Sequence, residues 1–260
     1  MSFNIAVAGK GGSGKTSVAS LITRYLKKSN PGPILAVDAD PNANLGESLG
    51  LSIRQTVGSI IATFNDEKIN IPAGMTKEAY LEFRLNDALV ESKGLDLLTM
   101  GMGEGAECYC YPNLMLRKFA DTLTDSYAYV VMDNEAGMEH LSRRTTQNID
   151  ELIFVSDHSV KGVRTIARLR DLVAELKLVV KRQSVIIDFV SNGIDPVVSE
   201  ELTKLGIEPT ATIPLDEEVY EYDLKLKPLL DLPDTSRAVS AVNDLMTRLL
   251  KAEEIHMRRG

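Results

Sequence analysis

FNIAVAGKGGSGKTS, from Phe3 to Ser17, opens as an apolar run and turns at once into a glycine loop carrying two lysines. A buried strand followed by Gly-x-x-x-x-Gly-Lys-Thr, here Gly9, Gly14, Lys15 and Thr16, is the pattern of a phosphate-binding loop that opens a helix. Glycines let the backbone curl until several N–H groups converge on one anion, and the helix start adds its partial positive end. The candidate phosphate-binding residues are therefore Gly9, Gly11, Gly12, Ser13, Gly14, Lys15, Thr16 and Ser17. Lys15 is expected to reach the β- and γ-phosphates and the Thr16 hydroxyl to ligate Mg²⁺. A glycine-rich turn matching by chance would have no reason to sit between such a strand and such a helix.

Beyond the loop, apolar β-branched runs alternate with amphipathic segments, which predicts βα units around a largely parallel sheet. Strands are expected at 3–8, 34–38, 95–100, 127–133, 151–156, 184–190 and 210–214. Their near-continuous apolar character fits burial on both faces. Helical patterns fall at about 16–28, 112–123, 139–147, 161–177, 196–204 and 235–253. Residues 51–93, with IPAG, several charges and only short helical patterns, are read as an excursion between core strands and not as a second domain. The expectation is one α/β phosphate-loop domain over 1–260, with a mostly parallel central sheet and helices on both faces.

With 29 Lys and Arg against 37 Asp and Glu, the formal charge is −8, which opposes unspecific binding to nucleic acid or to an anionic membrane. The helix KGVRTIARLRDLVAELK carries Lys161, Arg164, Arg168 and Arg170, but also Asp171 and Glu175, and is read as a solvated or partner-binding face. No stretch approaches the length of a membrane span, and residues 1–9 lack the basic and long apolar regions of a signal peptide. The expectation is a cytoplasmic protein. The only two cysteines, Cys108 and Cys110 in GAECYCYPN, are poorly spaced for a disulfide. They are either free thiols lining an apolar interface with Tyr109, Tyr111 and Pro112 or soft ligands for Zn²⁺, Ni²⁺ or Cu⁺. As ligands they fill half of a four-coordinate shell, and a homodimer would double the count.

Lys10 places a second cation at the start of the loop. KGGSGKT thereby resembles the deviant phosphate loop of the MinD, ParA and nitrogenase iron protein class of dimeric ATPases. The resemblance implies a sandwich homodimer that hydrolyses ATP to ADP, with Lys10 crossing to the partner's nucleotide. In LAVDADPNANLG it assigns Asp40 to positioning the attacking water and Asp38 to the magnesium surroundings. YAYVVMDNEAGMEH is similar to the second nucleotide motif, with Asp133 holding magnesium through water and Gly137 sensing the γ-phosphate. FVSNGID and TIPLDEEV resemble the base-binding segments, which makes Asn192, Pro214 and Asp216 candidates for the adenine end.

The cysteine pair ahead of VVMDNEAGMEHLSRRT narrows the resemblance to the CooC family of carbon monoxide dehydrogenase maturation ATPases and their acetyl-CoA synthase relatives. It spans Asn4 to about Val219. It implies Ni²⁺ or Zn²⁺ held by Cys108 and Cys110 at the dimer interface, and ATP hydrolysis accompanying nickel delivery to one of those enzymes. No cysteine follows Asp133 in the next five positions, which removes a cluster-bridging electron-transfer role. The tail LKAEEIHMRRG has too little apolar area for a MinD-type membrane anchor. A partner-binding switch of the MinD and ParA kind, with structural or zinc-binding cysteines, is the competing expectation.

Overall fold

Side chains of Phe3–Gly9 (β1) alternate in destination: Ile5 and Val7 join one apolar cluster, Ala6 and Ala8 the other. The same division runs through Ile34–Ala39 (β2), Leu95–Thr99 (β4), Tyr129–Asn134 (β5), Asn148–Asp157 (β6) and Val179–Val190 (β7). A strand buried on both faces must be apolar at successive positions, which is why these runs lack polar alternation. The computed structural model describes residues 2–29, 32–67, 71–101, 123–124, 126–135 and 148–257.

Eight strands form one sheet in the order β3-β4-β2-β5-β1-β6-β7-β8, where β3 is Leu89–Val90 and β8 is Ala211–Pro214. Every pairing is parallel except the short β3–β4 contact at one edge. One face is covered by Lys15–Ser29 (α1), Leu45–Leu49 (α2) and Arg237–Met257 (α8), whose Val239, Val242, Leu245 and Met246 are buried there. The other is covered by Val57–Glu67 (α3), Lys77–Asn86 (α4), Val160–Glu175 (α5) and Pro196–Lys204 (α6). Each fully buried Leu, Ile or Phe contributes roughly 1.5–3 kcal/mol, so the two clusters supply the driving force. The chain is a single α/β domain with eight described helices.

The excursion at 51–93 contains α3, α4 and the antiparallel edge strand β3. Thr76 caps α4 by accepting from the Ala79 N–H at 3.2 Å. The helix Glu217–Leu224 (α7), which the sequence pattern did not flag, buries none of its own residues. Among the described residues no helix is long and apolar enough to cross a membrane. The helical patterns at 139–147 and most of 112–123 lie outside the described residues.

The strand order places β1 next to β5 and β6, with the chain first winding toward β2 and later toward β7. Ligands of such sheets bind beyond the C-terminal strand ends near the reversal of winding. The glycine loop, Asp38, Asp133, Asp157 and Asp188 all fall on that edge.

Candidate functional site

β1 delivers the loop and α1 receives it: Ser13 N–H donates to the Lys10 carbonyl at 3.2 Å and Val18 N–H to the Gly14 carbonyl at 2.9 Å. Gly9 must be a glycine because a Cβ there would lie 2.2 Å from the Val155 carbonyl oxygen of β6. Gly14 has φ +91, and its Cβ would lie 2.0 Å from Oδ2 of Asp188. Gly11 and Gly12 face open space, so the backbone is bare where an anion would approach.

The Lys15 ammonium donates to the Lys10 carbonyl at 3.2 Å, folded back over the loop. Lys10 itself, with 43% of its side chain exposed, pairs with Asp157 at 3.5 Å. The Thr16 hydroxyl donates to Asp133 Oδ2 at 2.6 Å. Oδ1 of Asp133 is buried and has no partner among the described residues.

Asp38 and Asp133 stand side by side in the β2–β5 register, and both side chains are buried. Asp38 accepts from the N–H groups of Leu45 at 2.9 Å and Asp40 at 3.2 Å, which shapes the turn after β2. Burial raises the Asp38 carboxyl to about 6. Burial raises Asp133 to about 7, with the Thr16 hydrogen bond and Lys15 opposing and the neighbouring Asp38 adding to the rise. Two adjacent carboxyl groups with an unpartnered oxygen beside a threonine hydroxyl fit a divalent cation. Among the described residues no cluster of three or more His, Cys, Asp and Glu forms a metal site. Such a cation would therefore be shared between a few protein groups and phosphate. Asp40 is half-buried at the rim, and its Oδ1 accepts from the Asn42 N–H at 2.9 Å and the Asn42 side-chain amide at 2.8 Å.

A cleft of about 260 Å³ runs from Ser17 along α1 to the β8–α7 turn, walled by Val18, Leu21, Ile213, Pro214 and Val219. Pro214 and Asp216 line it. Asp216 is also a double cap: Oδ1 accepts from Glu218 N–H at the start of α7, and Oδ2 from Ser236 Oγ and Ala238 N–H at the start of α8. Burial would raise its pKa, but these hydrogen bonds, led by that from Ala238, hold it below the usual carboxylate range.

Asn192 stands exposed in the turn after β7 and is not among the residues lining this cleft. Asp188 and Phe189 line it instead. An acidic residue inside the apolar run SVIIDFV was the available signal, because a strand interior has no structural use for an unpaired carboxylate. Cys108, Cys110 and Gly137 lie outside the described residues.

Residues 5–229 match the family described as the CobQ/CobB/MinD/ParA nucleotide binding domain. The chain belongs to this family. A relative described as an uncharacterized ATP-binding protein, from Methanocaldococcus jannaschii, is 42% identical over 95% of this chain and 98% of its own length. The carbon monoxide dehydrogenase accessory protein CooC of Rhodospirillum rubrum is 29% identical over 66% of this chain and 69% of its own. Among solved structures, the septum site-determining protein MinD of Pyrococcus horikoshii, complexed with Mg-ADP, superposes with a TM-score of 0.70. It is 18% identical, with 98% of each chain covered. The fold described above is therefore a nucleotide-binding domain of this family.

Proposed function

We propose that this protein is a magnesium-dependent ATPase that works as a homodimer and carries nickel on Cys108 and Cys110 to a nickel enzyme, carbon monoxide dehydrogenase or acetyl-CoA synthase. The observation that carries the ATPase reading is the convergence of Lys15, Thr16, Asp133 and Asp38 at the mouth of the glycine loop. The nickel reading is supported by the Cys-x-Cys spacing and by the similarity to CooC over two thirds of the chain.

In this mechanism the loop backbone binds the phosphates and Lys15 exchanges its contact with the Lys10 carbonyl for phosphate oxygens. Thr16 and, through water, Asp133 would hold Mg²⁺, with Asp38 beside them. When bound, the cation neutralises charge and polarises the phosphoryl oxygens. Asp40, at the rim, positions the attacking water. Lys10 leaves Asp157 and reaches the partner's nucleotide, adding positive charge where the transition state accumulates negative charge. Dimer closure and opening change the geometry at the paired thiolates, so that nucleotide state and nickel affinity are coupled reciprocally.

The test is nickel and zinc binding, with size-exclusion chromatography on the same samples, for the wild type and the Cys108→Ser, Cys110→Ser double variant, with and without ATP. The expected result is one metal per dimer, lost in the double variant, with a nickel affinity that changes with nucleotide. Lys15→Ala is expected to abolish hydrolysis, and Lys10→Ala to retain ATP binding while losing hydrolysis. ATP-driven dimerisation with no cysteine-dependent metal would replace nickel delivery with a partner-binding switch. Absence of ATP hydrolysis at any protein concentration would remove both.

A further inference from the structure

Asp188 stands apart from Asp38, Asp133 and Asp157 at the C-terminal edge of the sheet because it lines the apolar cleft. Asp38 shapes a turn, Asp133 faces Thr16, and Asp157 pairs with Lys10 and accepts from Ser159 at 2.6 Å. Asp188 is buried, its Oδ1 accepts from the adjacent Phe189 N–H at 2.7 Å, and its Oδ2 has no hydrogen-bond partner among the described residues. The local backbone is built to place it. The β7–β8 register is irregular between Ile187 and Val190, and Phe189 has φ +59, a left-handed conformation strained for an aromatic residue. A bulge of this kind re-aims side chains beside functional sites. Here it sets the carboxyl against Gly14 of the glycine loop and in the wall of the apolar cleft.

The cleft leads away from the phosphate end between Val18 and Leu21 on one side and Ile213 and Val219 on the other. Such walls suit a flat aromatic ring better than a sugar, and a single polar group in them fixes the ring's orientation. The hydrogen-bonding pattern of that group then selects the base. A carboxylic acid offers one donor and one acceptor, the pattern that complements a ring nitrogen and the exocyclic amine of adenine. An ionised carboxylate offers acceptors only, the pattern that complements the two adjacent N–H groups of guanine.

We propose that Asp188 reads the nucleobase, and that it does so for adenine as a neutral carboxylic acid, so that base preference depends on its protonation. The inference rests on the nucleotide reading above and names the group that sets its specificity. Burial raises Asp188 to about 7, and only the hydrogen bond from Phe189 opposes it. The titratable and charged groups around it are Asp157 and His158 at the end of β6, Lys10 and Lys15 of the loop, and Asp216, Tyr220 and Asp223 of the α7 segment. None of them forms an ion pair or hydrogen bond with Asp188.

The test is the dissociation constant of Mg-ATP and of Mg-GTP between pH 6 and pH 8.5 for the full chain and for Asp188→Asn, with circular dichroism to establish folding. Asparagine keeps the shape and the donor–acceptor pattern but does not titrate, so the variant shares the titration of the phosphates and serves as the reference. Because only the neutral fraction binds adenine, wild-type ATP affinity relative to Asp188→Asn is expected to fall about tenfold or more from pH 6 to pH 8.5. The wild-type preference for ATP over GTP is expected to narrow over the same range, while that of the variant stays fixed. ATP affinities that run parallel in the two proteins across pH would overturn the role of Asp188 and leave the ATPase reading intact. Should neither protein bind either nucleotide at any pH while remaining folded, the ATPase reading and this inference fail together.

Discussion

With Oδ2 held by Thr16 and Oδ1 without a partner among the described residues, Asp133 ionises in surroundings that oppose it, and Asp38 beside it adds like charge. Above pH 7 the free protein therefore carries a cost of a few kcal/mol for keeping that carboxylate. Asparagine removes the charge and keeps an acceptor for Thr16. Asp133→Asn is thus expected to raise the melting temperature of the nucleotide-free protein at pH 8 by several degrees, at about 2–4 °C per kcal/mol for a chain of this size. In the proposed mechanism the same change removes the charge that holds Mg²⁺, so Mg²⁺-dependent ATP hydrolysis is expected to be lost. A thermal melt and a phosphate-release assay on one preparation decide it; a variant less stable than wild type at pH 8 would show that the buried charge is compensated in the fold.

At the level of elements, α7 shows what sequence patterning could and could not reveal. EEVYEYDL buries no residue, so it lacks the apolar stripe by which a helix is recognised. Its position is fixed by Asp216, which satisfies the first turns of both α7 and α8. Asp216→Ala is expected to cost roughly 1–2 kcal/mol for the lost cap, and more for the stranded Ser236 hydroxyl. Because Pro214 and Val219 form one wall of the cleft, nucleotide affinity should fall severalfold with kcat little changed. A fall in kcat at unchanged affinity would contradict that division of labour. The core strands were legible because burial on both faces forces continuous apolar runs, and the glycine loop because phosphate binding needs bare backbone at fixed spacing. The start of β7, VVKRQ, was not, since it alternates between exposed and half-buried positions. The sequence pointed to Asn192, because an amide after a strand fits the resemblance, whereas the wall of the cleft holds Asp188. The bulge that turns an acidic strand residue into the cleft is a property of backbone geometry and leaves no spacing to read.

For the molecule as a whole, three buried carboxyl groups on one edge of the sheet are raised: Asp38 to about 6, Asp133 to about 7 and Asp188 to about 7, each chiefly by burial. In the unfolded chain all three lie near 3.8, so between about pH 4 and pH 7 the native state binds more protons than the unfolded state. Stability must then fall as pH rises through that window, and it levels off once all three are ionised in both states. The lowered carboxyls oppose this only at more acidic pH: Asp234 is held at about 2 by Lys28 and Arg24, and Asp216, Glu201 and Glu221 also lie below their usual ranges. The nucleotide-free protein is therefore expected to melt several degrees higher at pH 5.5 than at pH 8, the reverse of a fold whose acids are all ion-paired. Under the proposed magnesium role of Asp133 and Asp38, Mg-ATP should stabilise it more at pH 8 than at pH 5.5, because at pH 5.5 the cation must first displace their protons. Differential scanning calorimetry at the two pH values, with and without Mg-ATP, measures both differences. A nucleotide-free melting temperature that rises from pH 5.5 to pH 8 would mean that these groups are already ionised in the folded protein. Asp133→Asn should flatten the slope without removing it, since Asp38 and Asp188 still titrate.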